Sequence, residues 1–484
     1  MDCAVSQNSE DNLSDVPQAK ISGSFGSGGA LPPLPPEFQT KNDKLGLKLF
    51  LLCLTTCGLS IFVFEDFRTL GAASLFVSAI VHMPFVFALI APRSCDTADP
   101  LVALPNDMLP TYTILIPVFH EANMMTQIAS SMAALKYPQY LLDILVLIEI
   151  DDPATRAAAD RTNWPPSVRL LTVHAPGPQT KPRACNFGLA HARGSFIVVY
   201  DAEDQPHPNQ LRDAAAIFHQ APAEVACLQA PLVIDKEKSN WLGRQFALEC
   251  NLLFTRFLPV LTNVGCAVPL GGTSNHLKCD VLRNIGAWDC HNLTEDADLG
   301  IRLARHGYRT QMLQAPTFEN APHGLKIFLR QRIRWQSGHI QTISVHLRRP
   351  FQAMRSMGAA NYLCFLMVLV CRLTNPVAHA FLIGYFAVPS PVFGNTSGNA
   401  FTAGMLLASV MIYMTYFILA YRGMQDEKPV MRLMYILTLP IYWLLIMLAT
   451  LSALLRMVRG QMNWLKTPHQ PFQRNSGEQA ETDQ

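Results

Sequence analysis

Hydrophobic residues along this chain fall into long uninterrupted blocks at both ends and short, spaced runs in the middle. Residues 45–64 and 70–91 are each close to the ~20 apolar residues that span a hydrocarbon core. The short link Glu65-Asp66-Phe67-Arg68 predicts that they form a transmembrane hairpin over 45–91, both ends facing one side. Residues 399–421 and 430–455 predict two further spans. The segment 359–388, with Arg372 and Pro376 inside it, reads as one kinked span or as partly interfacial. Four to six spans are expected, their parity open.

Between these blocks, over 110–320, runs of strand length alternate with helical stretches. Strands are expected at 113–119, 144–148, 169–173 and 196–200, and helices near 122–135, 153–161 and 183–193. Such alternation implies an α/β domain, a parallel sheet covered on both faces. From 325 to 347 apolar Ile327, Phe328, Ile333, Ile340 and Ile343 interleave with Lys326, Arg330, Arg332, Arg334, Arg348 and Arg349. This predicts a basic amphipathic helix lying at the membrane interface. The expected organisation is a disordered tail (1–44), a transmembrane hairpin (45–91), an α/β domain (92–322), an interfacial helix (323–357), a transmembrane region (358–457) and a cytosolic tail (458–484). Residues 1–44 are rich in Ser, Gly, Asp and Pro and show no apolar period. Arg348, Arg349 and Arg355 place the central domain on the cytoplasmic side of an inner or plasma membrane by the positive-inside rule. Arg456, Arg459 and Lys466 argue the same for the tail, although an odd number of later spans would put it outside.

Composition supports a membrane protein. Only 15% of the 484 residues are charged, and the mean hydropathy is +0.17. A net charge of +2 gives no reason to expect nucleic acid. The 12 cysteines form no C-x-x-C pair and read as free thiols.

Two predicted strands end directly in acids: Glu149, Asp151 and Asp152 after the second, Asp201, Glu203 and Asp204 after the fourth. Ligands of open α/β sheets gather at the carboxyl ends of strands. Carboxylates there suit Mg²⁺ or Mn²⁺ with phosphate oxygens. Thr294-Glu295-Asp296 opens a helical stretch, where acids also serve as caps. A few dozen residues on stands Gln331-Arg332-Ile333-Arg334-Trp335. On a helix, positions i, i+3 and i+4 share a face, so Gln331, Arg334 and Trp335 are expected to point into one site. The Gly271-Gly272 pair is read as closing a strand.

These motifs, in order, resemble the family 2 glycosyltransferases of GT-A fold, over about residues 45–470. Asp201-Ala202-Glu203 stands where the family carries D-x-D. Pro117-Val118-Phe119-His120-Glu121 is similar to its P-x-x-N-E stretch, with His120 in place of Asn. Glu149-Ile150-Asp151-Asp152-Pro153 resembles the acidic base-and-ribose site, usually D-D-G, and Thr180-Lys181-Pro182-Arg183-Ala184-Cys185-Asn186 looks like the K-x-x-A-x-N segment. Q-x-x-R-W marks the processive members: the synthases of cellulose, chitin, hyaluronan and related bacterial glucans. Asn463-Trp464-Leu465-Lys466-Thr467-Pro468-His469 resembles the ending of bacterial exopolysaccharide synthases of this type.

The resemblance implies a membrane-embedded inverting hexosyltransferase. Asp296 would be the general base, with Glu295 beside it. Asp201 and Glu203 would hold Mg²⁺ or Mn²⁺. Donor-binding residues would be Pro117, Glu121, Glu149, Asp151, Asp201, Arg334 and Lys181 or Arg183. Gly271, Gly272, Thr273, Gln331 and Trp335 would bind the acceptor. The expected donor is a UDP-sugar, UDP-glucose favoured. The expected acceptor is a growing β-linked glycan, translocated across the bilayer, with possible export partners. The alternatives are a non-processive enzyme acting on a lipid carrier and a catalytically inactive membrane scaffold or receptor.

Overall fold

The computed structural model describes residues 31–42, 102–236, 239–387 and 400–460. The expected hairpin at 45–91 and the 463–469 motif lie outside the described residues. The strands are β1 (Tyr112–Val118), β2 (Leu142–Glu149), β3 (Val168–Val173), β4 (Phe196–Val199), β5 (Gln205–Pro206), β6 (Val225–Gln229), β7 (Leu232–Asp235), β8 (Asn275–Lys278), β9 (Arg309–Met312) and β10 (Thr317–Asn320). The α-helices are α1 (Met125–Ala133), α2 (Pro153–Asp160), α3 (Lys181–His191), α4 (Gln210–Gln220), α5 (Trp241–Leu252), α6 (Leu258–Asn263), α7 (Cys279–Asn284), α8 (Glu295–Arg305), α9 (Leu325–Leu347), α10 (Pro350–Met357), α11 (Ala359–Ala387), α12 (Ala400–Gly423) and α13 (Pro429–Val458).

Seven strands form the main sheet in the order β3-β2-β1-β4-β8-β6-β9; β5-β10-β7 form a second, small sheet. The four expected strands are present and run parallel to one another. The sheet is not wholly parallel, however, because β8 runs antiparallel to both β4 and β6. Strand alternation sorts the core. Leu115, Leu145, Leu147, Ile197 and Val199 pack on one face, Ile114, Ile116, Ile144, Val146, Ile148 and Val198 on the other. A sheet buried on both faces needs apolar side chains in both phases of its period-2 pattern, which is why these strands read as continuous runs.

The Gly271-Gly272 pair does not close a strand: it leads into β8, with no strand assigned between Val264 and Ser274. Helix α9, expected as a basic amphipathic helix at the membrane interface, has the expected bounds but does not keep its basic positions exposed along its length. Its first turn is exposed, yet Phe328, Arg332, Gln336 to Ile340 and Thr342 to His346 are buried, packed between α8, α11 and α13.

The tail expected over 1–44 is ordered where it is described. Phe38 is only 4% exposed, with Arg305 Cζ 4.5 Å from its ring centroid and the rings of His306 and His346 beside it. Arg348 donates to the carbonyls of Pro36 and Gln39, and Thr40 N donates to Asp289. Isolated anchors of this kind leave no periodic signal in a Pro-rich stretch.

Helices α11 to α13 cover the three span candidates that follow α10. Among the described residues two stretches are long and apolar enough to cross a membrane, Ala359–Pro376 and Pro429–Val458. The α/β domain is tied to α13 by polar contacts, Trp241 Nε1 donating to Thr438 Oγ1 at 2.8 Å and Gln245 Nε2 to the Tyr435 carbonyl at 2.7 Å, and α9 is tied to it by Gln336 Nε2, which donates to Thr450 Oγ1 at 3.0 Å.

Candidate active site

A cleft of about 1570 Å³, its open mouth included, lies at the carboxyl ends of β1, β2 and β4 and runs toward α11. It gathers Pro117, Glu121, Glu149, Lys181, Asp201, Glu203, Gly271, Gly272, Thr273, Glu295, Asp296, Gln331, Arg334 and Trp335. These come from segments spread over more than two hundred residues of sequence. Only Asp151 and Arg183, of the residues expected to contact a donor or acceptor, do not line it.

The acidic cluster after β2 divides its roles. Glu149 lines the cleft. Asp152 caps α2, accepting from Thr155 N at 3.2 Å, and also accepts from His120 N at 2.5 Å. Asp151 is exposed and bonded to Gln179 Nε2. His120, where the family carries Asn, has φ +52°, a left-handed conformation that Asn, Asp and His enter more readily than most residues.

The two candidate cations also separate. Arg183 pairs with Glu149 and donates to the Ala175 carbonyl at 3.0 Å, so it supports the cleft wall. Lys181 sits in the cleft, pairs with Asp201 and donates to the Gly272 carbonyl at 2.7 Å. Burial would lower the Lys181 pKa, but Asp201 and Glu295 outweigh it and hold the ammonium charged.

Glu295 and Asp296 form the first turn of α8. Burial and the neighbouring Asp296 push Glu295 up to about 7. Burial also raises Asp296, partly offset by the Ala297 amide, which donates to its Oδ1 at 2.8 Å, and by Lys181 and Arg334. Gly272 faces this acid closely: a Cβ there would stand 3.2 Å from Asp296 Oδ2. Asp298, two residues on, is enclosed by Arg302 at 2.7 Å and His346 at 3.1 Å and faces no cleft.

From α9, Gln331, Arg334 and Trp335 enter the cleft together. Gln331 Oε1 and Arg334 Nε are buried with no hydrogen-bond partner among the described residues, polar atoms placed where a ligand's polar groups could meet them. Arg332 turns away. It holds Glu249 through two bonds of 2.7 and 2.6 Å, donates to Tyr442 Oη at 2.8 Å, and lies 4.7 Å from the Trp335 ring centroid. That contact occupies one face of the indole and fixes the ring.

Glu249, Phe254, Glu319, His339 and Arg372 also line the cleft, and no motif in the sequence points to Glu249, Phe254 or Glu319. His339 was within reach, since 331, 335 and 339 recur every four residues on α9. Arg372, a cation inside an apolar run, was a further signal. Glu249 carries no local motif.

Asp201 and Glu203 fit a divalent cation only as a two-carboxylate set. Among the described residues no cluster of three His, Cys, Asp or Glu groups could hold a metal. Two carboxylates at a cleft wall leave coordination positions for phosphate oxygens and water, the usual arrangement for Mg²⁺.

The sequence profile of "Glycosyl transferase family group 2" matches residues 196–456, and that of "Glycosyl transferase family 2" matches residues 113–273. The chain is a family 2 glycosyltransferase. It is 23% identical over 450 residues to a beta-monoglucosyldiacylglycerol synthase of Trichormus variabilis, covering 90% of this chain and 91% of that one. It is 26% identical over 266 residues to "Probable glycosyltransferase YdaM" of Bacillus subtilis; that match covers 51% of this chain and 59% of the relative. It is 24% identical over 298 residues to "Probable glucomannan 4-beta-mannosyltransferase 1" of Arabidopsis thaliana, covering 60% of this chain and 52% of the relative. Among solved structures, the mannosyltransferase PcManGT from Pyrobaculum calidifontis in complex with GDP-Man and Mn²⁺ superposes with a TM-score of 0.51 at 17% identity. The match covers 81% of this chain and 99% of that one. The family 2 glycosyltransferase therefore has a GT-A-like fold.

Proposed function

We propose that this glycosyltransferase is a membrane-bound inverting enzyme. It would take a hexose from a nucleotide-sugar, UDP-glucose favoured, and add it to a β-linked glycan that passes toward the apolar helices. The supporting observation is that Asp296, the Lys181–Asp201 pair, Arg334 and Trp335 converge on one cleft from four different elements. A divalent ion held by Asp201 and Glu203 would neutralise charge on the donor diphosphate. Asp296 takes the proton of the acceptor hydroxyl as that oxygen bonds to the anomeric carbon. The bond from that carbon to the diphosphate oxygen breaks in the same displacement, and the nucleoside diphosphate leaves beside Lys181 and Arg334. One displacement inverts an α-linked donor to a β-linked product. Trp335 supports the acceptor ring with its remaining face.

General-base help of this kind is worth about 10²–10⁴ in rate. Stabilisation of the leaving group by preorganised cations is often the larger effect.

A second reading, one sugar added to a lipid acceptor, is favoured by a relative that covers 90% of this chain and is named as a glycolipid synthase. Glu319 and Arg372 on the cleft wall favour a hydroxyl-rich acceptor beside the apolar Leu253 and Phe254. The test is UDP release and product length in membrane vesicles supplied with candidate UDP-sugars. A high-molecular-weight product with a sugar-specific UDP signal is expected, and Asp296→Asn should abolish both while still binding UDP. A single-sugar lipid product would select the second reading. Undiminished incorporation by Asp296→Asn would remove that residue from the chemistry.

A further inference from the structure

Asp204 follows the Asp201–Glu203 pair, yet it does not line the cleft and is only 3% exposed. Its Oδ2 accepts from the Asp201 backbone amide at 2.6 Å and from the Thr273 hydroxyl. Thr273 ends the Gly271-Gly272 turn that faces Asp296. The acid therefore joins the loop carrying the candidate metal-binding carboxylates to the turn opposite the candidate base. A second tie links the same two segments: Lys181 pairs with Asp201 and donates to the Gly272 carbonyl at 2.7 Å.

Beneath Thr273 runs an enclosed hydrogen-bonded chain. The Thr273 and Ser274 hydroxyls are 3.2 Å apart, and the Ser274 and Thr317 hydroxyls 2.6 Å apart. Gln210 Nε2 donates to Thr317 Oγ1 at 3.0 Å, and Tyr200 Oη donates to Gln210 Oε1 at 2.7 Å. His276 Nε2 lies 3.2 Å from the same Oε1, and its Nδ1 lies 2.6 Å from Tyr112 Oη. Because Oε1 can only accept, His276 donates through Nε2 and accepts from Tyr112 through Nδ1, the neutral tautomer. Ser274, Gln210, Thr317, His276, Tyr112 and Tyr200 are all buried, so the chain anchors Thr273 to β1, β8, β10 and α4.

We propose that Asp204, gripped by Thr273, is a positioning residue that sets the Asp201 carboxylate against the glycine turn, so that the donor and acceptor halves of the site are aligned as one unit. It rests on the proposed glycosyl transfer only for the identity of the two halves. The geometry recommends Thr273→Val as the test, since it keeps the shape and removes the hydroxyl, with Asp204→Asn as a second variant.

Mn²⁺ binding in the presence of UDP, followed by electron paramagnetic resonance, reads the position of Asp201 without turnover. Thr273→Val should weaken it about tenfold, the scale of one buried hydrogen bond lost with its partner left in place. The kcat should fall with it, and Thr273→Ser should recover both. Should Thr273→Val fold poorly, Asp204→Asn should weaken Mn²⁺ binding in the same direction. Wild-type Mn²⁺ affinity in the folded fraction of both variants would overturn the inference, including the case where only thermal stability drops. Wild-type protein that binds Mn²⁺ with UDP but transfers no sugar would instead count against the proposed function.

Discussion

Asp296 and Asp298 stand two residues apart at the start of α8, and their partners divide their work. Asp298 is locked between Arg302 and His346, so its charge is consumed in holding α8 to α9. Asp296 instead accepts from the Ala297 amide of its own helix, sits in the field of two cleft cations, and has an oxygen facing Gly272. Helix capping alone would suit all three acids of the first turn, and the sequence singles out Asp296 only through the family resemblance; the enclosure of Asp298 depends on His346, 48 residues away. The cations that surround Asp296 set its pH behaviour. Burial raises its pKa, and Lys181 and Arg334 pull it down. A general base works only when deprotonated, so activity falls as pH drops through that pKa. Replacing Arg334 by Gln removes a charge that favours the carboxylate, so the pKa rises further and the acid limb of the kcat profile moves to higher pH. A pH–rate series on the variant checks this; an unmoved or lower limb would mean that Arg334 does not act on the base.

At the scale of elements, α9 shows why a binary pattern misled. Arg330, Arg332 and Arg334 look alike in sequence, two apart and interleaved with apolar residues, and all three count toward a basic amphipathic helix although Arg334 also belongs to the expected site. Successive helical positions turn by about 100°. Arg330 is exposed, Arg332 is buried against Glu249, and Arg334 enters the cleft. The Gln331, Arg334 and Trp335 cluster was legible because its i, i+3, i+4 spacing is a property of the helix alone. The burial of Arg332 was not, because Glu249 and Tyr442 lie 83 and 110 residues away. The two motifs also touch through a residue outside both. A Cβ at Gly338 would stand 2.5 Å from Thr294 Cγ2 and 2.6 Å from Thr294 N, so a glycine is needed for α9 to pass this close. Gly338→Ala should therefore push α8 and α9 apart. Overpacking of this kind costs about 1–3 kcal/mol. The expected result is a lower melting temperature in detergent together with a kcat loss larger than any change in donor KM, since the base and the acceptor platform separate. A stability loss with unchanged kcat would show that Thr294 does not carry the strain to Asp296.

For the whole molecule, the apolar helices divide into a face that holds the α/β domain and a face left outside. On α13, Tyr435, Ile436, Leu439, Tyr442, Ile446, Ala449, Ala453 and Met457 are buried, whereas Val430, Leu433, Leu437, Ile441, Leu448, Leu451, Leu455 and Val458 are exposed. The exposed set recurs at helical spacing along thirty residues, about 45 Å of helix at 1.5 Å per residue. An apolar stripe of that length is far larger than the patches soluble monomers leave in water, and it suits lipid. The core strands and the apolar length of α13 were both readable from the sequence, since each is an uninterrupted apolar run. The docking of one on the other was not, because it runs through single polar contacts such as Trp241 to Thr438. Ile441, 54% exposed near the middle of the stripe, tests the lipid assignment. An Arg near a span centre costs roughly 2.5–3.5 kcal/mol of insertion. Ile441→Arg should reduce the fraction of protein kept in membranes after alkaline carbonate washing, while Leu455→Arg, closer to the helix end, should do so less. Equal retention of both variants and wild type would mean that this face of α13 meets water or protein, and the glycan path would then have to be sought elsewhere than along it.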